Sequence, residues 1–132
     1  MEIRPINPWQ WQDNFGFSQA VDVSGGHQTL YCAGQAAVSP EGTTQHHGDM
    51  QVQVQLALNN LEEVLIKGGY SWSNVVRLTI YTTDIDRFFG SEYAQVMSKL
   101  AAVETKPAIT LLGVARLAFP ELMVEIEATA IK

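Results

Sequence analysis

The sequence predicts an α+β fold, a mixed β-sheet with two helices packed on one face. Three observations predict it. From Asp49 to Gly68, the residues Val54, Ala57, Leu58, Leu61, Val64 and Leu65 recur at helical spacing and form one apolar stripe. From Leu122 to Ile131 the chain alternates, with Val124, Ile126, Ala128 and Ala130 on one face and Met123, Glu125, Glu127 and Thr129 on the other. Strand-like segments stand at both ends with two helical segments between them, and two helices can cover only one face of such a sheet.

The elements follow in order. The segment up to Phe17 is rich in turn formers and aromatics (Pro5, Pro8, Trp9, Trp11, Phe15) and is expected to pack as an arm or loop. Short strands are expected near Gln19–Val23 and Gln28–Ala33, with Gly25-Gly26 as a hairpin turn between them, because glycine tolerates positive φ. Ser39-Pro40-Glu41-Gly42 is a second turn. Asp49 can cap the first helix and Gly68-Gly69 can end it. Val75–Thr82 is a strand with Val76, Leu78 and Ile80 on one face and Arg77, Thr79 and Tyr81 on the other. A second helix is expected from about Ser91 to Val103, with a stripe of Tyr93, Val96, Met97 and Leu100, and Pro107 marks the return to strand. Two strands, Ile109–Leu117 and Leu122–Ile131, joined by a turn at Phe119-Pro120-Glu121, close the order β-β-α-β-α-β-β. The uncovered sheet face is semi-apolar, through Met123, Tyr81 and Leu111, and calls for solvent or a partner subunit.

The 132 residues are expected to form one domain, 1–132, with no linker or repeat. A net charge of −6 and no run of Lys or Arg argue against nucleic acid, whose phosphates need clustered positive charge. No apolar run approaches the ~20 residues that cross a bilayer, and the N-terminus lacks a charged-then-apolar leader pattern. The lone Cys32 excludes an internal disulfide and fits a reducing compartment, so the expected location is the cytoplasm.

Few residues advertise chemistry. There is no glycine-rich nucleotide loop, no paired-cysteine motif and no zinc-protease motif, and no cofactor is expected. His46-His47 are adjacent in a loop and His27 is distant, a pattern of surface histidines rather than converging metal ligands. Cys32 has no local base or cation and is expected to be a structural thiol. Glu125 and Glu127 share a strand face, which is either solvated or covered by a partner so that one carboxylate points into a cleft and moves protons. Trp9, Trp11, Phe15 and Phe17 are core or interface anchors, or the wall of an apolar ligand site.

Several segments carry a resemblance. Gly16-Phe17-Ser18-Gln19-Ala20-Val21 resembles the G-P-Y-S-Q-A-V opening of the Rid/YjgF family, the reactive intermediate deaminases, also known as endoribonuclease L-PSP-like proteins. Tyr31-Cys32-Ala33-Gly34-Gln35 resembles its F-V-S-G-Q strand, and Val75–Asp84 its V-V-K-x-T-V-F-x-x-D segment. Pro107-Ala108 and Val124–Ala128 are similar to its P-A-R and V-E-I-E-A endings. The resemblance covers nearly the whole chain with elements in order. It implies a chorismate-mutase-like fold, a homotrimer whose sheets meet around a barrel-like centre, and small-molecule clefts between subunits.

The activity it implies is hydrolysis of enamines and imines such as 2-aminoacrylate to a keto acid and ammonia. In that family the arginine of P-A-R holds the substrate carboxylate, which its planar fork suits. Here Ile109 stands in its place. The tyrosine of the opening motif becomes Phe17, the serine of V-S-G-Q becomes Ala33, and the cysteine two places after the arginine becomes Leu111. Ser91 stands roughly where an asparagine is expected. Gly34, with its backbone N–H, and Glu125, matching the acid that positions water, are retained. Arg116 lies seven residues past Ile109, which on a regular strand is the opposite face, and Lys106 is expected at the strand edge. The resemblance thus implies a cleft of Phe17, Ala33, Gly34, Ser91, Ile109 and Leu111 with Glu125 as its acid.

Three readings follow. The chain binds or transforms a small, neutral or cationic, partly apolar ligand at a subunit cleft, with weak or absent 2-aminoacrylate deamination. Alternatively it is a working enamine/imine deaminase without the arginine, or a non-enzymatic, chaperone-like trimer. An apolar pocket around Glu125 would favour its protonated form or a cationic ligand. Some family members carry endoribonuclease or translation-inhibitor names, a role the acidic charge does not favour here.

Overall fold

A computed structural model describes residues 1–132. Its principal elements are β1 (Glu2–Ile6), β2 (Ala20–Ser24), β3 (Thr29–Ala36), α1 (Met50–Lys67), β4 (Val75–Thr82), α2 (Tyr93–Ala102), β5 (Ala108–Gly113) and β6 (Val124–Ile131). One four-stranded sheet has the order β3-β6-β4-β5. β6 runs antiparallel to both β3 and β4, and β5 is parallel to β4, so the sheet is mixed.

The helices form where the stripes predicted them. The Asp49 carboxylate accepts the Val52 N–H at 3.2 Å and caps α1. Gly69, at φ +79°, turns the chain out of it. α2 begins at the first residue of its stripe, Tyr93, rather than at Ser91, after a helical turn at Ile85–Arg87 capped by Asp84 and a π-type turn at Phe88–Glu92. Leu61 and Leu65 of α1, and Val96 and Leu100 of α2, share one core with Leu78 and Ile80 of β4 and with Ile126 and Ala130 of β6. Both helices therefore cover the same sheet face. Burial along β6 alternates strictly, so Met123, Glu125, Glu127 and Thr129 remain half-buried on the open face.

Several expectations are corrected. Leu111 pairs with Ile80 and lies on the helix-covered face, not on the open one. β2 does not form a hairpin with β3; it pairs with β1 in a separate two-stranded ribbon, while β3 pairs with β6. The N-terminal arm thus contains a strand, β1, which Pro5 disguises; an edge strand tolerates proline because one of its sides needs no N–H. β5 and β6 are not neighbours, because the β4–α2–β5 crossover lays β5 parallel outside β4 and β6 inserts between β3 and β4. β5 ends at Gly113, so Arg116 lies in the following loop, where strand alternation no longer decides its face.

Two amides fasten the loops. Buried Gln53 donates to the carbonyls of His46 (3.1 Å) and Glu121 (2.9 Å) and accepts the Met123 N–H (2.8 Å). Asn60 donates to the carbonyls of Ala36 and Val38, both at 2.9 Å. They tie the start of β6 and the end of β3 to α1, because buried carbonyls and N–H groups must find partners. No helix is long and apolar enough to cross a membrane.

Candidate functional site

Within one chain the expected site residues fall into two places. The first is a cavity of about 220 Å³ whose lining is entirely hydrophobic. β5 contributes Ile109 and Leu111, the N-terminal arm contributes Trp11, Phe15 and Phe17, and the segment entering α2 contributes Phe89 and Tyr93.

Hydrogen bonds bring these distant segments together. Ser18 N–H donates to the Pro107 carbonyl at 3.0 Å, and its hydroxyl donates to the Lys106 carbonyl at 2.5 Å. Ser18 also bridges Ala108 in parallel, so the arm extends the sheet beyond β5 and sets Phe17 beside Ile109. The Tyr93 hydroxyl donates to the Phe15 carbonyl at 2.8 Å, fixing the turn that carries Phe15. Burial pushes the Tyr93 phenol up to about 12. The rings touch in sequence: Phe17–Trp11 at 5.8 Å, Trp11–Phe15 at 6.3 Å, Phe15–Phe89 at 5.5 Å and Phe89–Tyr93 at 5.6 Å between centroids. These are favourable edge-to-face and tilted separations.

The second place is a depression of about 670 Å³ containing Gly34, Glu125, Asn60, Glu63 and Phe119. Its geometry follows from β3. The register with β6 shifts between Cys32 and Gln35, a bulge at Ala33-Gly34. The Glu125 side chain lies over Gly34: a Cβ there would clash with Oε1 and stand 2.6 Å from Cδ. The absence of a Cβ at Gly34, whose φ is not positive, is what lets the Glu125 side chain take this position.

The two carboxylates of β6 differ. Glu127 accepts the Tyr81 hydroxyl at 2.9 Å, and that bond, with burial, pushes the Tyr81 phenol up. Glu125 is half-exposed in the depression, so the expected apolar surround for its carboxylate is absent within one chain.

The remaining candidates stand apart. Ala33 is exposed at the bulge. Ser91 lines neither place; its hydroxyl stands within hydrogen-bond distance of two acceptors, the Arg87 carbonyl (3.2 Å) and the Glu92 carboxylate (3.1 Å), and its one proton can go to either. Arg116 donates to the carbonyls of Leu117 and Ala118 in its own loop. Lys106 is exposed beside Pro107. Cys32 is in the core, and burial pushes its thiol up, away from reactivity. No three His, Cys, Asp or Glu side chains converge as metal ligands.

Sequence reasoning named Trp11 and Phe15 as a possible wall, and both line the cavity; Trp9 does not. Phe89 was missed and Tyr93 was read only as core. The adjacent Phe88-Phe89 pair is the signal that could have found the former, since Phe88 is buried in the core and Phe89 is left facing the cavity.

Known proteins match this arrangement. The family model described as Endoribonuclease L-PSP matches residues 12–132. A RutC family protein of Pyrococcus horikoshii is 30% identical over 131 residues, covering 98% of this chain and 90% of its own. The crystal structure of YyfB, a Rid-family protein of unknown function from Yersinia pestis, superposes with a TM-score of 0.90 at 36% identity, with 100% of both chains covered. Escherichia coli TdcF, provisionally named a reactive intermediate deaminase, is 29% identical over 118 residues, covering 88% of this chain and 86% of its own. Its crystal structure with bound serine has a TM-score of 0.70 and covers 88% of this chain and 87% of that one.

Proposed function

The chain belongs to the endoribonuclease L-PSP family, with Rid and RutC proteins as its relatives, and from that premise we propose that it binds or transforms a small molecule at a cleft between subunits, with weak or no 2-aminoacrylate deaminase activity. The observation that carries this reading is the cavity at Ile109. Where the family resemblance implies an arginine, every lining residue is hydrophobic. A substrate carboxylate would enter without a cation, and an unpaired buried charge costs several kcal/mol, on the order of 2–7 even for an uncharged polar group. Within one chain neither Arg116 nor Lys106 lines the cavity: Arg116 bonds carbonyls of its own loop and Lys106 is exposed at the edge.

In this reading the single 1–132 domain forms a homotrimer in the cytoplasm. The open sheet face supports self-association, since Tyr31 is 81% exposed on it and Leu112 44%. The separation of Ile109 from Glu125 within one chain also supports it, because a cleft between copies would let one copy's cavity meet another's acid.

A second reading is favoured by the retained Gly34–Glu125 arrangement and by the name of TdcF. Here an imine is hydrolysed: water adds to the imine carbon while Glu125 takes one of its protons and passes it to nitrogen, and the carbinolamine then gives its hydroxyl proton to nitrogen as the C–N bond breaks, releasing ammonia and leaving a keto acid. One assay separates the readings. The purified protein is mixed with enzymatically generated 2-aminoacrylate and ammonia release is followed. The expected rate is no more than a few times that of buffer. A rate far above buffer that Glu125→Gln abolishes establishes the deaminase instead.

A further inference from the structure

The geometry points to a neutral molecule bearing one planar aromatic ring, of phenyl to indole size, as the ligand of the Ile109 cavity. This deepens the proposed function and rests on its reading of that cavity as the ligand site. Three properties of the cavity carry the inference.

Size comes first. An apolar cavity of about 150 Å³ is known to accept benzene. The cavity here, at about 220 Å³, leaves room for one ring and a short substituent or a second fused ring. It is too small for a helix or a strand of a partner protein, because a helix with its side chains is about 10 Å across.

Chemistry of the wall comes second. No side chain in the lining is charged. The one hydroxyl, that of Tyr93, already donates to the Phe15 carbonyl. The wall itself offers an anion no donor and a cation no carboxylate; Glu125 is absent from it and could reach a ligand only from a neighbouring copy, at the cavity's open side.

Ring arrangement comes third. A cage for a quaternary ammonium surrounds one point with aromatic faces. Here the rings instead run in a contacting series from Phe17 through Trp11 to Phe15, with interplanar angles of 69° and 70°, and on through Phe89 to Tyr93 at 31° and 35°. Such a wall offers both edges and faces, which suits another ring and dilutes the negative faces a cation needs. Ile109 and Leu111 add an aliphatic floor from β5. Trp11 and Phe89 are 56% and 47% exposed, so the cavity has an open mouth.

The test is a calorimetric series on the unmodified protein with phenol, cyclohexanol, benzoate and phenyltrimethylammonium, paired with NMR of the Ile109 and Leu111 methyl groups. Phenol is expected to bind at least ~10-fold more tightly than benzoate or phenyltrimethylammonium. It is expected to exceed cyclohexanol by about 3- to 10-fold, the worth of one aromatic contact. The lining methyls should shift with phenol. Preference for either charged probe, equal binding of cyclohexanol, or methyls unmoved by every probe (as when a neighbouring copy fills the cavity) overturns the inference. The ammonia assay distinguishes the two failures. Turnover of 2-aminoacrylate removes the proposed function itself, while a failed ring series without turnover removes only the ligand class.

Discussion

Around Glu125 the structure is fastened by polar groups, whereas around Ile109 it is fastened by rings. Gln53 ties the start of β6, and Asn60 the end of β3 beyond the Gly34 bulge, to α1, and the Tyr81 hydroxyl bonds Glu127 but not Glu125. The acid is thus presented on a sheet whose backbone has little freedom. The cavity at Ile109 has a thinner polar frame, made by Ser18 and Tyr93 alone. It is assembled from three segments far apart in sequence and held by the contacts of Ser18 and Tyr93 with the backbone. The difference teaches where change is easiest. Side chains on the aromatic wall can be exchanged without disturbing the sheet, so the ligand class can change while the acid keeps its place.

The contrast can be broken from either side. On the aromatic side one hydroxyl matters most. Tyr93→Phe takes the donor from the half-buried Phe15 carbonyl and is expected to cost about 1 kcal/mol in urea denaturation. It should also alter the response to alkali. A phenol held up to about 12 in the fold, against about 10 in the unfolded chain, favours the fold while it keeps its proton. That stability is complete below pH ~10 and is lost as pH rises from there toward the folded value. The wild type should lose stability in that window more steeply than Tyr93→Phe, as measured by denaturation at successive pH values.

On the acid side a single methyl group suffices. Gly34→Ala places its Cβ against the Glu125 carboxylate and drives that flexible side chain off its position. The expected stability cost is no larger, about 1 kcal/mol, because the side chain can move and φ is not strained. The cost should vanish in the Glu125→Ala background, where the obstructing atoms are gone. An unchanged penalty in the double variant, measured as a thermodynamic cycle, would mean that Gly34 serves the bulge rather than the acid.

The acid half was more legible in the sequence than the aromatic half, for a physical reason. The alternation of Val124–Ile131 states which side of β6 meets the helices, and the structure follows it residue by residue. The stripes of both helices held for the same reason, since a periodic pattern records its own burial. Pairing partners are not recorded in this way. Nothing in the residues of β2 says that it joins β1 rather than β3, or that β6 inserts beside β4, because those choices depend on long-range packing. The cavity has the same difficulty. Phe17, Ile109 and Leu111 were reached by resemblance, and Trp11 and Phe15 by their density in the arm. Phe89 and the second role of Tyr93 depend on how the turn before α2 meets that arm. Ser91, reached by resemblance, lines neither place within one chain, and its hydroxyl bonds within its own turn.

The central claim is that Ile109 sets the ligand class of the cavity. It is tested most directly by calorimetry of phenol and benzoate on the wild type and on Ile109→Arg. The arginine supplies two parallel donors for a carboxylate and removes part of the apolar floor. The account predicts that phenol is preferred by the wild type and benzoate by the variant, a reversal on the order of 100-fold, or about 2.7 kcal/mol. A wild type that already prefers benzoate, or a folded variant whose preference is unchanged, would contradict it.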